Sequence, residues 1–140
     1  MQIIIDSNIL FSALIKDSLI RKIILNFKGF FLFPSFIFEE LEKHHEELMK
    51  KSKLNNEEFE DLLNIILSKV LIVPSEVLLK HKKEALEIVK DIDVDDVIFI
   101  ACALAYDLDV IWSDDKNLKK QEIVKVFNTK EVIKLLQILN

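Results

Sequence analysis

Acidic side chains follow two apolar runs of the sequence, at positions where a reactive site could form. Asp6 comes directly after the run Gln2–Ile5, and Asp114 and Asp115 follow Val110–Trp112 with one serine between. Each apolar run predicts a buried strand. Ligands of open α/β sheets bind beyond the carboxyl ends of the strands, so we expect these acids to share one sheet edge. An aspartate in this position can also mark a loop or cap the next helix, and for Asp6 both interpretations stay open.

Two further acidic groups are predicted to lie on or before helices. Glu40 borders the apolar stripe of the helix predicted after Pro34, whereas Glu39 points away from that stripe and is predicted to be a solvated surface charge. Taken alone, Glu40 is also compatible with an edge glutamate that reaches solvent. Capping of the apolar helix predicted over 97–106 explains one or two of the aspartates before it, but not four mutually repelling charges. These aspartates are Asp91, Asp93, Asp95 and Asp96.

Carboxylates that converge on one sheet edge need a counter-charge, because burial would otherwise raise their pKa values until they took up protons. Mg²⁺ or Mn²⁺ fits this need, since hard divalent cations prefer oxygen ligands and bind substrate phosphates. Such an ion can activate water and stabilise charge on a phosphodiester, and a second ion can hold the leaving oxygen. The chain has one glycine, which excludes the glycine-rich phosphate-binding motifs. We therefore expect any phosphate chemistry here to depend on one or two metal ions.

The elements that must position these acids alternate between strand and helix. Besides the two runs named above, strands are predicted over 30–33, 70–73 and about 124–127; helices are predicted over about 7–27, 35–51, 55–67, 79–90, 97–106 and from 129 onward. Ser35 and Asn55 are the predicted N-caps of the second and third of these helices. Strands that are apolar on both faces indicate a parallel sheet covered on two sides. The predicted fold is α/β, a three-layer α/β/α arrangement with a central parallel sheet of four to five strands, and residues 1–140 are predicted to form a single domain.

The composition excludes several classes of protein. The chain has 140 residues and one cysteine, which excludes a disulfide framework and a cysteine-based zinc site and predicts a reducing, cytoplasmic location. No apolar run reaches the ~18 residues of a membrane span, and no secretory signal is apparent, so we expect no membrane association. The net charge of −5 divides into −9 over residues 1–115 and +4 over residues 116–140. The lysines just after the Asp114–Asp115 pair could contact RNA or simply lie on a solvated loop: Lys116, Lys119 and Lys120.

Four segments, taken in order, resemble the motifs of the PIN domain family of metal-dependent ribonucleases. They are Ile3-Ile4-Ile5-Asp6-Ser7-Asn8, Pro34-Ser35-Phe36-Ile37-Phe38-Glu39-Glu40-Leu41, Asp93-Val94-Asp95-Asp96 with the apolar helix that follows, and Ser113-Asp114-Asp115-Lys116-Asn117-Leu118. Each motif is weak alone, but the ordered set is specific and spans nearly the whole chain. The resemblance selects four acids as the catalytic and metal-binding residues: Asp6, Glu40, Asp96 and Asp115. The chain departs from the pattern at Asn117, where many members carry another acid.

The resemblance implies hydrolysis of RNA phosphodiester bonds by metal-activated water, with Mg²⁺ or Mn²⁺ held by these acids directly or through water. Asn8 and Ser113 would orient ligands or contact phosphate. The family also implies selective RNA cleavage, often by the toxin of a toxin–antitoxin pair, and frequent homodimers. The expected partners are thus RNA, an antitoxin protein and a second copy of the chain. The resemblance identifies the protein as PIN-like, with ribonuclease activity as its expected function.

The same residues also allow other functional interpretations to be compared. A haloacid-dehalogenase-like phosphatase needs a second aspartate where this chain has Asn8. A non-catalytic PIN-like module that binds RNA or a protein is the stronger alternative, although the presence of all four acids favours an enzyme. His44 lies one helical turn after Glu40, but adjacent histidines on a charged helix are more typical of a solvated face than of a metal site.

Overall fold

The computed structural model describes residues 2–16, 18–89, 96–106 and 110–139, and a five-stranded parallel sheet lies at its centre. In chain order the strands are β1 (Gln2–Ile5), β2 (Phe30–Pro34), β3 (Val70–Val73), β4 (Val110–Trp112) and β5 (Lys125–Phe127). They lie side by side in the order β3-β2-β1-β4-β5, and each adjacent pair is parallel. Helices cover both sides of the sheet, so the predicted three-layer α/β fold is confirmed.

The helices form two groups. Their bounds are α1 (Ser7–Ile15), α2 (Leu19–Asn26), α3 (Ile37–Ser52), α4 (Asn56–Leu67), α5 (Ser75–Leu79), α6 (Lys82–Ile88), α7 (Val97–Ala105) and α8 (Thr129–Leu139), with a short 3-10 helix at Leu118–Lys120. Helix α7 packs across β1, β2 and β4 and against α5 and α6, whereas α1 to α4 pack on one another. No helix within the described ranges has the length and apolar character needed to cross a lipid bilayer.

The core forms around the central strand. Ile3, Ile4 and Ile5 are fully buried, which explains why β1 is apolar at consecutive positions rather than at alternate ones. The rings of Phe31 and Trp112 lie beside this strand with their centroids 5.9 Å apart. Helix α7 is buried on nearly all sides, and this explains its almost uninterrupted apolar sequence.

The strand order places a topological switch point between β1 and β4. From β1 the chain adds β2 and then β3 on one side, and it later adds β4 and β5 on the other. Ile5 pairs with Trp112, and the next residue, Asp6, donates its backbone N–H to the Trp112 carbonyl at 3.2 Å. The chain segments that follow β1 and β4 therefore leave the sheet side by side, in the crevice where ligands of such folds bind.

The helix predicted over 7–27 is wrong, because the chain forms two helices there. Ser18 caps α2 by accepting a hydrogen bond from the Arg21 backbone N–H at 3.3 Å. The Arg21 side chain, the single arginine of the sequence, then donates to the carbonyls of Ala13 at 2.7 Å and Leu14 at 3.3 Å. These bonds satisfy carbonyls at the end of α1 that have no partner within that helix.

Three other predicted boundaries have different outcomes. The capping box at Asn55 is confirmed, with Glu58 N–H donating to its side chain at 2.8 Å and Asn55 N–H donating to Glu58 at 3.1 Å. Ser35 does not cap α3; its hydroxyl lies 3.1 Å from that of Ser75. Within the range predicted as a helix over 79–90 the structure has α6, which begins only at Lys82, and a separate short helix, α5, precedes it over Ser75–Leu79.

The loop after β4 is fastened to the start of α8 by a group that we name the Trp112–Thr129–Asp114 clasp. The Asp114 carboxylate accepts hydrogen bonds from the backbone N–H and the hydroxyl of Thr129, both at 2.8 Å. The Thr129 hydroxyl in turn accepts a hydrogen bond from the Trp112 indole N–H at 3.1 Å. A carboxylate at the first residue of a helix also interacts favourably with the helix dipole. The clasp therefore fixes the path of the chain directly before Asp115.

Replacing Thr129 with valine should destabilise the protein by about 1–3 kcal/mol, because the buried indole N–H and one Asp114 oxygen lose their partner. Urea unfolding followed by circular dichroism measures this loss. Trp112 is the single tryptophan of the chain, so its fluorescence emission should change in the same variant. The control is Thr129→Ser, which keeps the hydroxyl. A Thr129→Val protein with wild-type unfolding midpoint and emission would show that the clasp adds nothing to stability.

Candidate active site

Asp6 lies at the carboxyl end of β1 and is buried, with 7% of its surface exposed. Its Oδ1 accepts the backbone N–H of Ile9 at 3.0 Å and so caps α1. Its Oδ2 accepts a short hydrogen bond from the Ser113 hydroxyl, which belongs to the loop after β4. The helix-capping role of Asp6 is thus present, and the same side chain also faces the neighbouring strand end.

Burial raises the pKa of the Asp6 carboxyl above the usual aspartate range. The hydrogen bonds from Ser113 and from the Ile9 backbone favour the charged form and lower the pKa, but by less than burial raises it. The negative charges of Asp114 and Asp115 raise it further. The surroundings of Asp6 therefore favour either a proton or a nearby positive charge.

Ser113 connects Asp6 to Asp115. Its hydroxyl, which is almost inaccessible to solvent, donates to Asp6 and accepts the Asp115 backbone N–H at 3.1 Å. The half-buried Asp115 accepts the backbone N–H of Asn117 at 2.9 Å through its Oδ1. The side chain of Asn117 itself is exposed. These bonds hold the loop after β4 against the end of β1; that Ser113 orients ligands or contacts phosphate stays a prediction.

Glu40 lies in the first turn of α3, and 29% of its side chain is exposed. Glu39, beside it, is exposed, as the helical pattern predicts. His44 Nε2 lies 3.5 Å from Glu40 Oε2, and its Nδ1 lies 3.5 Å from Glu47 Oε2. The histidine thus bridges two glutamates on one helix face.

Asp96 occupies the N-cap position of α7 and is half-buried, with its Oδ2 shielded from solvent. A cavity of about 740 Å³ is lined by Ser7, Glu40 and Val97 among others, so it borders the segments that carry three of the predicted acids. Asn8 is exposed and lines a second cavity of about 460 Å³, which Glu40 also borders. Three acids of the predicted cluster, Asp91, Asp93 and Asp95, lie outside the described residues.

The lysines near the fourth motif differ in what they contact. Lys116 and Lys120 are exposed, whereas Lys119 forms a short ion pair with Glu131 on α8. From the sequence alone these three lysines are equivalent, because only the fold brings Glu131 to Lys119. It also gives no sign of Lys82, which lines the 740 Å³ cavity together with Lys43. Only the spacing of Lys43, one turn after Glu40, could have indicated its place on the same helix face.

Within the residues that the structure describes, no three His, Cys, Asp or Glu side chains form a group that could hold a metal ion. A closed all-protein cage is not needed for Mg²⁺, which usually keeps several waters and binds through one or two carboxylates and substrate phosphates. Asp6 and Asp115 offer hard oxygen donors in neighbouring segments, where Ser113 bonds the Asp6 carboxylate and the Asp115 backbone N–H, and the surroundings of Asp6 favour a proton or a cation. These residues fit an open divalent-cation site of that kind.

Comparisons with known proteins agree with this fold. A family model described as a PIN domain matches residues 4–136. The structure is similar to a chain in the crystal structure of VapBC2 from Rickettsia felis bound to a DNA fragment from their promoter, with a TM-score of 0.65 over 91% of this chain and 98% of that chain. The two sequences are 19% identical, so this likeness shows the fold alone. No curated protein matches the sequence. The family match and the ordered motifs show that the chain belongs to the PIN domain family.

Proposed function

We propose that this protein is a divalent-metal-dependent endoribonuclease that hydrolyses RNA phosphodiester bonds. PIN domain proteins are typically ribonucleases and generally use divalent metal ions. The observation that carries the proposal is the placement of Asp6, a buried carboxylate whose pKa is raised, at the switch point of the sheet and in contact with the loop that bears Asp115. A buried acid in a crevice with a perturbed pKa is typical of a functional site.

The proposal gives each predicted residue a role. Asp6 and Asp115 would hold Mg²⁺ or Mn²⁺ directly or through water, with Glu40 and Asp96 contributing from α3 and α7. When bound, the ion would lower the pKa of water and stabilise negative charge on the phosphate. Ser113 would keep the Asp6 carboxylate in position through its hydroxyl.

The remaining predicted residues would act on the substrate. Asn8 would orient a ligand or contact phosphate from the first turn of α1. Lys116 and Lys120, which are exposed, would attract the RNA backbone, and Lys119 would contribute less because Glu131 pairs with it.

The partners are a further part of the proposal. The similar structure contains VapBC2, a toxin–antitoxin complex, which supports an antitoxin partner for this chain and a role as the toxin of such a pair. A homodimer and a cytoplasmic location are proposed on the family resemblance. A non-catalytic module that binds RNA or protein through the same fold is the alternative, and metal-dependent turnover of RNA separates the two functions.

Cleavage of a mixed single-stranded RNA panel should require Mg²⁺ or Mn²⁺ and stop in EDTA. Asp6→Asn, Asp96→Asn and Asp115→Asn should each lower kcat/KM by about 100-fold or more, because Lewis-acid stabilisation is worth several kcal/mol. The matched pair Glu40→Gln and Glu39→Gln tests α3, since the two glutamates are adjacent but Glu39 is exposed and Glu40 is half-buried. We expect a large loss for Glu40→Gln and wild-type rates for Glu39→Gln.

Two outcomes would contradict this assignment. Wild-type cleavage rates in Asp6→Asn and Asp96→Asn would show that the predicted acids do not carry the reaction. Tight RNA binding without any divalent-dependent turnover would favour the non-catalytic module.

The pH dependence of stability should also reveal the buried charge of Asp6. Because the folded-state pKa is raised, the folded protein binds this proton more tightly than the unfolded chain, so stability falls as pH rises from the usual aspartate range through the raised pKa. In EDTA, Asp6→Asn should therefore be at least as stable as wild type at pH 7, and this advantage should shrink as pH falls through the raised pKa toward about 4. Urea midpoints between pH 3.5 and 8 measure the difference.

The same experiment tests metal binding without relying on activity. Mn²⁺ at 100 times its dissociation constant should add about 2.7 kcal/mol to wild type, since it binds the folded state alone. Asp6→Asn should gain much less. Equal stabilisation of both proteins by Mn²⁺ would place the ion away from Asp6.

A further inference from the structure

The cavity of about 740 Å³ lies beside the predicted acids and is bordered by α3, α5, α6 and α7. Glu40 is part of its wall, and Ser7 and Val97, the neighbours of Asp6 and Asp96 in sequence, are also part of it. Its volume falls within the range of about 300–1,000 Å³ that is usual for ligand pockets. A molecule that occupied this cavity would therefore lie directly against the candidate active site.

Two lysines border the cavity, and we name it the Lys43–Lys82 cleft after them. Lys43 lies one turn after Glu40 on α3, and Lys82 begins α6. Neither lysine forms an ion pair with any residue that the structure describes, unlike Lys119 and Lys51, which pair with glutamates. Both ammonium groups are therefore available to an anion in the cleft.

The rest of the wall is largely apolar. Phe36, Leu78 and Ile98 belong to it, together with Leu79, which is 65% exposed, and Leu86, which is 39% exposed. Cationic groups beside apolar and aromatic side chains suit a single-stranded nucleic acid, because phosphates take the charges while bases lie on the apolar surface. A neutral apolar ligand would leave the two ammonium groups unused.

We propose that the Lys43–Lys82 cleft binds the stretch of single-stranded RNA that flanks the scissile phosphate. Lys43 and Lys82 contact phosphates of this stretch, and the apolar wall holds one of its bases. This inference rests on the proposed ribonuclease function, and it assigns the substrate-binding surface to the side of the domain bounded by α3 and α6. Continuity with Glu40 favours RNA over a second copy of the chain, because an occupant of the cleft must reach the predicted acids.

The test uses a fluorescein-labelled single-stranded RNA of twelve nucleotides, with binding followed by anisotropy in EDTA and steady-state cleavage followed in Mg²⁺. The double variant Lys43→Gln and Lys82→Gln should bind about tenfold more weakly. Its plot of log affinity against log salt concentration should lose about 1.4 from its slope, about 0.7 for each single-strand phosphate contact. In cleavage, KM should rise while kcat stays within about twofold, since the lost interaction is made equally before and during the reaction.

The matched control is Lys28→Gln with Lys69→Gln, which removes the same charge. Lys28 precedes β2 and Lys69 directly precedes β3, so both lie at the amino ends of parallel strands, at the sheet edge opposite the acids. This control should keep the affinity and salt slope of wild type. A loss of RNA affinity as large in the control as in Lys43→Gln with Lys82→Gln would show that only net charge matters. It would overturn the proposal that the cleft binds RNA.

A second variant, Leu79→Glu, distinguishes RNA from a second protein copy. Leu79 is mostly exposed, so glutamate should be tolerated in the fold, while its negative charge should weaken RNA binding about threefold or more. Light scattering gives the mass of the same samples. The proposal is overturned if Leu79→Glu halves the mass of the wild-type particle and leaves RNA affinity unchanged, since the cleft would then be covered by another copy.

The experiments also separate this inference from the proposed function. If wild-type protein cleaves RNA but the double variant has unchanged affinity and KM, the proposal that the cleft binds RNA is rejected. The ribonuclease assignment is then unaffected. Wild-type protein that neither binds nor cleaves the RNA, with or without Mg²⁺, would reject both.

Discussion

Asp6 carries a carboxylate into the interior of the protein at the carboxyl end of β1, where water cannot solvate it fully. An unpaired charge in such a place is costly, and the chain reduces that cost with two hydrogen bonds, from the Ile9 N–H and the Ser113 hydroxyl. The first bond also puts the charge at the start of α1, where the helix dipole favours it. These contributions do not outweigh burial and the nearby aspartates, because the pKa is raised. A region that favours a proton or a cation is the physical result.

The strand order determines how the rest of the site meets this charge. Since β4 pairs with β1, the three residues after β4 leave the sheet beside Asp6, and these residues have different hydrogen-bond partners. The Ser113 hydroxyl bonds the Asp6 carboxylate and the backbone N–H of Asp115, whereas the Asp114 carboxylate binds Thr129 at the start of α8. The carboxylates of two adjacent aspartates thus bind different segments: Asp114 fastens the loop to α8, and Asp115 accepts the backbone N–H of Asn117 within the loop.

Much of this arrangement is predictable from the sequence, and the reason lies in how local each signal is. The strands are visible because a doubly buried parallel strand is apolar at every position, as Ile3, Ile4 and Ile5 are. Asp6 and the Asp114–Asp115 pair are predictable because strand ends of a parallel sheet share one edge, whereas the choice of Ser113 and Asp115 depends on the resemblance to PIN domains. The division of the helix predicted over 7–27 is not, since an apolar pattern continues through a break that Ser18 and Arg21 create with the end of α1. Local spacing carries no information about that tertiary contact.

The net charge of −5 gives little information about an RNA partner. At physiological salt the Debye length is about 8 Å, so RNA near one surface responds to the charges there rather than to the total. The chain has one arginine, and its guanidinium is used on the carbonyls of α1. Lysines must therefore supply any cationic side-chain contact to phosphate, and an ammonium group acts as a point charge without the planar geometry that reads a base edge. For the proposed ribonuclease, selectivity among RNA sequences would then have to come from the shape and apolar surface around the acids, or from RNA structure, rather than from its cations.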